Sequence, residues 1–353
     1  MKVVISVKGV KSKYAAKAKG ILDAAAALGP VMDVSGLNRA SIHAKIAALP
    51  ATESVLIVGG YDLVPTFVLN NPTLHIEQQQ EGDAGADKNI PSDGPFGGTP
   101  GNKAQQLVPT RPVARVPDGS AAAADDFIAV LKTIAMKPHT PASAFQEAAK
   151  EFDKPALDVA KAMQISVPLM ESPPEVDTDP TLPSKVKGRG RIHILLHGAN
   201  YSPDWANLWG HASGSQDWLV GLSSQILKNA ALVGSVVTFS SCYAAMIDLG
   251  FKKAPVRDAT NQVSMACLRS GAKAVFAVTR SNWIGNTGAL FGPGLATQVW
   301  KGLLAGKKAG QALIDAKRQL ASDAMTSGTQ DDLPYVYKTL AQAQLYGNPE
   351  ATL

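Results

Sequence analysis

Two short stretches of the chain, residues 191–198 (RIHILLHG) and residues 235–242 (SVVTFSSC), decide the fold. Each is mostly apolar and partly β-branched, which is typical of a buried strand in a parallel sheet. The first stretch ends in His197 and Gly198, and the second ends in Cys242. The 45 residues from His197 to Cys242 leave room for the crossover connection that parallel strands need. We therefore predict that two adjacent strands deliver these side chains to one edge of a sheet.

The same alternation of strand-like and helix-like patterns continues along the rest of the chain. It predicts an α/β fold in which helices cover a mostly parallel sheet. The further strands are expected at residues 2–7, 54–60, 113–116, 165–169 and 273–279, and helices at residues 12–28, 39–49, 120–136, 142–163, 219–228, 261–270 and 286–325. Residues 70–112 are predicted to form a long loop, and the Pro-rich residues 171–190 an exposed linker.

The composition is that of a globular protein. Hydrophobic residues make up 45% of the 353 positions and charged residues 18%, which argues against disorder. The net charge of +5 is spread over small basic groups, so nucleic-acid binding is not indicated. No run of 18 apolar residues occurs, and we therefore expect no membrane span.

Cys242 and Cys267 are the only cysteines, so the chain has no disulfide framework. This favours a reducing compartment, and without a signal-peptide pattern we expect a cytoplasmic protein. Secretion is the alternative, because a leader removed before residue 1 would leave no trace here. Cys267 lies in the apolar segment SMACL on a predicted helix, where a packing role is expected.

His197 and Cys242 together suit nucleophilic catalysis. A thiolate is the nucleophile, and an imidazole can take up the thiol proton and later protonate a leaving amine. The developing oxyanion needs N–H donors. Gly198 can supply one without a side chain in the way, and Cys242 can supply the other. We predict these three as catalytic residues.

Five further segments, in chain order around this pair, resemble the gingipain-type branch of the caspase-like cysteine peptidases. They are residues 54–65 (SVLIVGGYDLVP), Ser92-Asp93, residues 113–117 (VARVP), residues 271–279 (GAKAVFAVT) and residues 345–349 (LYGNP). Leu196, Ala114 and Asn348 depart from the family pattern, but none of them belongs to the catalytic pair.

The resemblance implies a caspase-like α/β/α sandwich with a smaller N-terminal α/β subdomain in residues 1–136 and a catalytic subdomain in residues 137–353. It implies a cysteine endopeptidase acting on a peptide or protein, with no cofactor in the chemistry; a structural calcium ion is left open. The candidate substrate-binding residues are Thr279, Arg280, Ser281, Trp283 and Asp93, the last as an orienting or a specificity carboxylate. If the enzyme prefers basic residues, as several family members do, residues 185–191 (KVKGRGR) are a candidate self-processing site.

Other residues have plainer interpretations. His193 is expected to be a core histidine, and His211 is assigned no role because no strand is predicted before it. A metal site on these two and His197 would lack a further protein ligand. Arg115 is expected to form a structural ion pair, while Trp283 suits a pocket wall and core cover equally. The alternative functions are a catalytically silent peptide-binding module and a small-molecule amide hydrolase using the same Cys242.

Overall fold

A computed structural model describes residues 1–136, 138–165, 169–174, 176–200, 206–212, 214–247, 262–284, 290–327 and 330–353. Its strands are β1 (Lys2–Ile5), β2 (Val31–Asp33), β3 (Val55–Val58), β4 (Phe67–Asn70), β5 (Asn89–Ser92), β6 (Val113–Val116), β7 (Ala144–Ala149), β8 (Met170–Ser172), β9 (Arg191–Leu195), β10 (His197–Gly198), β11 (Asn207–Gly210), β12 (Leu219–Ser223), β13 (Val236–Phe239), β14 (Ala274–Val278) and β15 (Ala343–Gly347). Its helices are α1 (Val7–Tyr14), α2 (Ala18–Ala26), α3 (Arg39–Ala47), α4 (Leu74–Gly85), α5 (Lys103–Leu107), α6 (Ala124–Ala135), α7 (Asp153–Met163), α8 (Leu182–Val186), α9 (Ser224–Asn229), α10 (Val263–Arg269), α11 (Phe291–Leu304), α12 (Ala309–Ser327) and α13 (Leu333–Gln342).

Ten of these strands form one sheet in the order β2-β1-β3-β6-β15-β14-β13-β9-β7-β8. The strands from β2 to β6 are parallel to one another, and so are the strands from β14 to β8. β15 joins the two groups, parallel to β6 and antiparallel to β14. The two groups therefore run in opposite directions, and the carboxyl ends of β13, β9 and β7 share one edge of the sheet.

The apolar strands form the centre of the core. Every residue of β3, β13 and β14 is buried, as continuous apolar runs in parallel sheets require. The flanking helices contribute one apolar face each; α6, for example, buries Phe127, Leu131 and Ile134. Full burial of one such side chain stabilises the fold by about 1.5–3 kcal/mol. The predicted fold class, a mostly parallel sheet flanked by helices, is confirmed.

Four local predictions were wrong. The predicted helix at residues 219–228 begins as β12 and is helical only from Ser224, in α9. The predicted helix at residues 142–163 is split into β7 and α7, because all six residues of β7 (AFQEAA) are buried in the sheet and tertiary packing overrides their helix propensity. The predicted loop at residues 70–112 contains α4 and α5. Residues 171–190 include α8, whose Leu182 and Val186 are fully buried.

The predicted subdomain boundary between residues 136 and 137 stays a prediction. In the ten-stranded sheet, the strands before this boundary run in one direction and those after it in the other, except for β15. Most of the predicted strand at residues 165–169 and the predicted helix starts at residues 261 and 286 lie outside the described residues. None of the described helices combines the length and the hydropathy that crossing a bilayer would take.

Candidate active site

β9 and β13 are adjacent and parallel, and they bring His197 and Cys242 to the same edge of the sheet. His197 lies two residues beyond β9, and Cys242 lies three residues beyond β13. The segments before them are joined directly, because the Leu196 N–H donates to Ser241 Oγ over 3.1 Å. The strand-end arrangement predicted from the sequence is present.

Gly198 packs its Cα against the backbone of Cys242. A Cβ added at Gly198 would lie 1.8 Å from the Cys242 carbonyl oxygen, far inside van der Waals contact. Only glycine therefore allows the two loops to approach this closely. The structure thus brings together all three predicted catalytic residues.

Cys242 sits at the start of a tight turn. Tyr243, the next residue, has a positive φ of 56°, and its N–H donates to the Arg280 carbonyl over 3.0 Å. The Asn282 N–H points at Cys242 Sγ over 3.1 Å, and Asn282 Nδ2 donates to the Ser240 carbonyl over 2.7 Å. Asn282, which the sequence did not single out, therefore connects the sulfur atom to the end of β13.

Glu151 is the carboxylate that contacts His197. It follows β7, the strand beside β9 on the side away from β13. Its Oε1 lies 2.5 Å from His197 Nε2. The other ring nitrogen, Nδ1, takes no part in this contact. The sequence offers Asp93 as a candidate orienting or specificity carboxylate; it does not reveal Glu151, because the pattern of residues 142–163 predicts a helix where β7 lies.

The pKa of His197 is lowered from its ordinary value. Burial of the ring is the largest cause, and the neighbouring His211 acts in the same direction. The hydrogen bond and the charge of Glu151 oppose the shift by raising the pKa. At neutral pH the ring is therefore neutral and can accept a proton.

His211, to which the sequence assigns no role, lies beside His197. It directly follows β11, which pairs antiparallel with β10 and β12 in a small three-stranded sheet. The two histidine rings are 6.0 Å apart between centroids, and His211 Nδ1 lies 3.0 Å from Glu151 Oε1. Trp218 stacks on His211 at 4.3 Å and meets His197 edge-on at 4.7 Å. The expectation that no strand precedes His211 was therefore wrong.

Glu151, His197 and His211 form a group of possible metal ligands. Their ligand atoms all lie within 4.8 Å of one another, and each residue is half-buried. Glu151 therefore supplies the further protein ligand that a metal site on His197 and His211 needs. His193 is not part of this group. His193 is fully buried, its Nδ1 lies 2.9 Å from Thr238 Oγ1, and burial lowers its pKa to about 3.

The predicted pocket residues Thr279, Arg280 and Ser281 follow β14 and are buried. Thr279 Oγ1 donates to the Pro91 carbonyl over 3.0 Å, and Arg280 Nε donates to the Asn89 carbonyl over 2.8 Å. These contacts attach the segment after β14 to β5. Their part in recognising substrate stays a prediction.

Ser281 belongs to a buried ionic cluster behind Cys242, which we call the Lys338 cluster: Glu77, Asp87, Tyr243, Ser281 and Lys338. Lys338 Nζ donates to Glu77 and to Ser281 Oγ, and it lies 3.5 Å from Asp87. Asp87 Oδ2 accepts from the Ser281 N–H at 2.9 Å and from the Tyr243 hydroxyl at 3.2 Å. The cluster supports the turn that carries Cys242.

Trp283 and Asp93 occupy different surroundings. The Trp283 ring meets Tyr335 edge-on at 4.7 Å and is half-buried. Asp93 lies in the core, where Arg115 binds both of its oxygens at 2.7 Å and Thr66 donates to one of them. Arg115 thus forms the expected structural ion pair, and a role of Asp93 in specificity stays a prediction.

Cys267 is fully buried on α10, and burial raises the pKa of its thiol. A protonated, inaccessible thiol is a packing residue, as predicted. Cys242 is only half-buried, which leaves it as the accessible thiol of the two.

The chain resembles known proteins in structure. No protein-family model matches the chain, and no curated protein matches it significantly. The crystal structure of the Arg-specific cysteine proteinase gingipain R matches with a TM-score of 0.65 and 12% identity, over 100% of this chain and 78% of that chain. A complex of the pro- and mature domains of RgpB from Porphyromonas gingivalis matches with a TM-score of 0.64 and 13% identity, over 100% of this chain and 79% of that chain. At this identity the likeness establishes the fold alone: the chain has the caspase-like α/β fold of these cysteine proteinases.

Proposed function

We propose that the protein is a cysteine peptidase that uses Cys242, His197 and Glu151. The observation that carries this proposal is the order of three neighbouring strands. β13, β9 and β7 lie side by side, and the segments after them carry a thiol, an imidazole and a carboxylate. A nucleophile, a base and a group that orients the base are the parts that nucleophilic catalysis needs.

In the proposed reaction, Cys242 Sγ attacks the carbonyl carbon of the scissile peptide bond. His197 Nδ1 takes the thiol proton, while Nε2–H donates to Glu151 and holds the ring in place. The N–H groups of Gly198 and Cys242 stabilise the oxyanion of the tetrahedral intermediate. Collapse of the intermediate breaks the C–N bond, and His197 returns the proton to the leaving amine. Water then attacks the thioester, again with His197 as base, and releases the acid and the free thiol.

The first experiment is labelling with an electrophilic thiol probe together with profiling on a peptide library. We expect the wild-type protein to be labelled and to cleave peptides, because Cys242 is half-exposed. Cys242→Ala and His197→Ala should each lower kcat/KM by more than about 10³-fold. Cys267→Ala is the matched control and should keep both labelling and cleavage.

Cleavage that survives in Cys242→Ala would disprove the proposal. Labelling of Cys242 without cleavage of any peptide would favour the small-molecule amide hydrolase. Neither labelling nor cleavage by the wild-type protein would favour the silent peptide-binding module.

A preference for basic residues and self-processing belong to the same proposal. Both are suggested by the sequence resemblance. Lys187 and Gly188 are exposed in the turn between α8 and β9, where Gly188 has a φ of 68°. We expect mass spectrometry to find cleavage within residues 185–191 in the wild-type protein and an intact segment in Cys242→Ala. An intact segment in fully active protein would contradict self-processing.

A further inference from the structure

Glu151 is shared by two histidines that face it from different elements. Its Oε1 lies 2.5 Å from His197 Nε2 and 3.0 Å from His211 Nδ1. The exposed fractions of the side chains are 21% for Glu151, 25% for His197 and 13% for His211, so solutes can reach the group. The proposed peptidase mechanism uses Glu151 and His197 but gives His211 no task.

The contacts of His211 determine which of its nitrogens carries a proton. His211 Nε2 lies 3.2 Å from the Ser215 carbonyl oxygen, which can only accept, so Nε2 carries the hydrogen of the neutral ring. The lone pair of Nδ1 is then left facing the carboxylate of Glu151. Nδ1 is buried and has no hydrogen-bond partner among the described residues. A buried acceptor beside an anion is unfavourable unless a proton or a metal cation lies between them.

We propose that Glu151, His197 Nε2 and His211 Nδ1 form a binding site for a divalent cation of the zinc class. Two imidazoles and a carboxylate are a common zinc ligand set, whereas Mg²⁺ and Ca²⁺ prefer oxygen ligands throughout. Ligands of a tetrahedral zinc ion with bonds of about 2.1 Å lie about 3.4 Å apart. Glu151 Oε1 therefore has to retreat by less than about 1 Å from each ring, which side-chain rotation can achieve.

The surroundings of His211 match those of a metal ligand. Histidines that bind metals usually donate their other N–H to a carbonyl or carboxylate, as His211 does to Ser215. Trp218 stacks on the ring with an interplanar angle of 20°, which fixes its orientation. The site supplies three protein ligands and leaves the fourth position to water or to a group of the substrate.

Occupation of this site has a consequence that rests on the proposed function. Zinc on His197 Nε2 replaces the proton that is shared with Glu151. The metal-bound neutral ring then carries its only hydrogen on Nδ1, so it cannot take the proton of Cys242. The cation therefore inhibits peptide hydrolysis reversibly, with no change in the oxidation state of any group.

Binding is tested by titrating chelator-treated protein with Zn²⁺ in a calorimeter, in the Cys242→Ala background so that the thiolate cannot contribute. We expect one Zn²⁺ per chain, and no heat above dilution with Mg²⁺. His211→Phe keeps a ring against Trp218 but removes the ligand, and it should weaken Zn²⁺ binding by more than about 10-fold. His211→Ala is the second variant, and His75→Ala, which removes an exposed histidine of α4, is the matched control and should bind as tightly.

Three results would overturn the site: no stoichiometric binding by either the wild-type protein or Cys242→Ala, unchanged affinity in both His211 variants, or binding that the wild-type protein shows in the same titration and Cys242→Ala does not. The first two show that His211 holds no cation, and the third places the metal on the thiolate instead.

Inhibition is measured separately, as peptide hydrolysis in chelator and at rising Zn²⁺. The wild-type protein should lose activity over the range in which Zn²⁺ binds, and chelator should restore it. His211→Phe, compared with its own zinc-free rate, should need more than about 10-fold more Zn²⁺ for the same loss. If Zn²⁺ binds through His211 and the rate does not change, inhibition is disproved. If chelator-treated protein hydrolyses no peptide, the proposed function fails, and the calorimetric result still decides on the site.

Discussion

Two clusters of charged side chains in this molecule differ in how completely they are bonded. In the core, Arg115 is 0% exposed, and its guanidinium binds both oxygens of Asp93 as well as the carbonyls of Gly59, Gly60 and Val64. At the carboxyl edge of β9, Glu151 is shared by His197 and His211. There the side chains are partly exposed, and His211 Nδ1 lacks a hydrogen-bond partner within the described part of the chain.

This difference in bonding distinguishes a cluster that stabilises the fold from a cluster that takes part in the chemistry. A fully bonded, buried pair has one low-energy arrangement and loses stability when it is disturbed. An incompletely bonded cluster at the edge can exchange a proton or a cation with its surroundings at little structural cost. The two clusters should therefore respond oppositely to substitution, in stability for one and in rate for the other.

The largest expected effect is on the core pair. Arg115→Met leaves the buried Asp93 carboxylate without its partner and should lower the free energy of unfolding by about 3–5 kcal/mol. The rate per folded molecule should be unchanged. Denaturant unfolding and active-site titration measure the two quantities.

The double variant Arg115→Met/Asp93→Leu is the control for this pair. Because it removes both charges, it should regain much of the lost stability. If this variant folds but loses activity on basic substrates, Asp93 recognises substrate after all, and the division between the two clusters breaks down.

The next effect is on the edge cluster. Glu151→Gln keeps an oxygen near His197 Nε2 but removes the negative charge that stabilises the imidazolium. We expect kcat/KM to fall by about 10²-fold, equivalent to about 2.7 kcal/mol. The free energy of unfolding should change by less than about 1 kcal/mol, because the pair is partly exposed. A large loss of stability with an unchanged rate would reverse the comparison.

A smaller effect concerns His193, which lies in the core on β9, four residues before His197. Its pKa is about 3 in the fold because burial disfavours the charged ring, whereas an exposed histidine titrates near 6.5. Below pH 6.5 the unfolded chain takes up a proton that the folded chain refuses until about pH 3. The stability is therefore complete above pH 6.5 and should be roughly 2 kcal/mol lower at pH 5.

His193→Asn removes the titrating ring and keeps a side chain that can bond Thr238. Unfolding in denaturant, measured from pH 8 to pH 5, should show a flatter dependence in this variant than in the wild-type protein. If stability depends on pH equally in both proteins, His193 is not the group responsible for the loss of stability at low pH.

Much of the site could be predicted because its signal is local. His197 and Cys242 each end an apolar run, and Gly198 directly follows His197. These features depend on a few adjacent residues. Burial of a strand leaves the same apolar pattern wherever the strand lies in the sheet.

The rest of the site depends on contacts between distant segments. Residues 144–149 (AFQEAA) favour a helix by propensity, and only their burial between β9 and β8 makes them a strand. Glu151 could not be placed without that strand. The reversal of strand direction at β15 could not be predicted from the sequence either, because apolar runs do not indicate the order in which strands pair.

The Lys338 cluster also bears on when the chain becomes competent during synthesis. Glu77 and Asp87 precede Cys242, but Lys338 follows it by 96 residues. Lys338 is fully buried and bonded to Glu77 and Ser281, so the support behind the Cys242 turn cannot close before α13 has left the ribosome. A nascent chain that has already exposed Cys242 therefore still lacks Lys338, whose bonds hold the turn in place. The turn that positions the nucleophile is completed only late in translation.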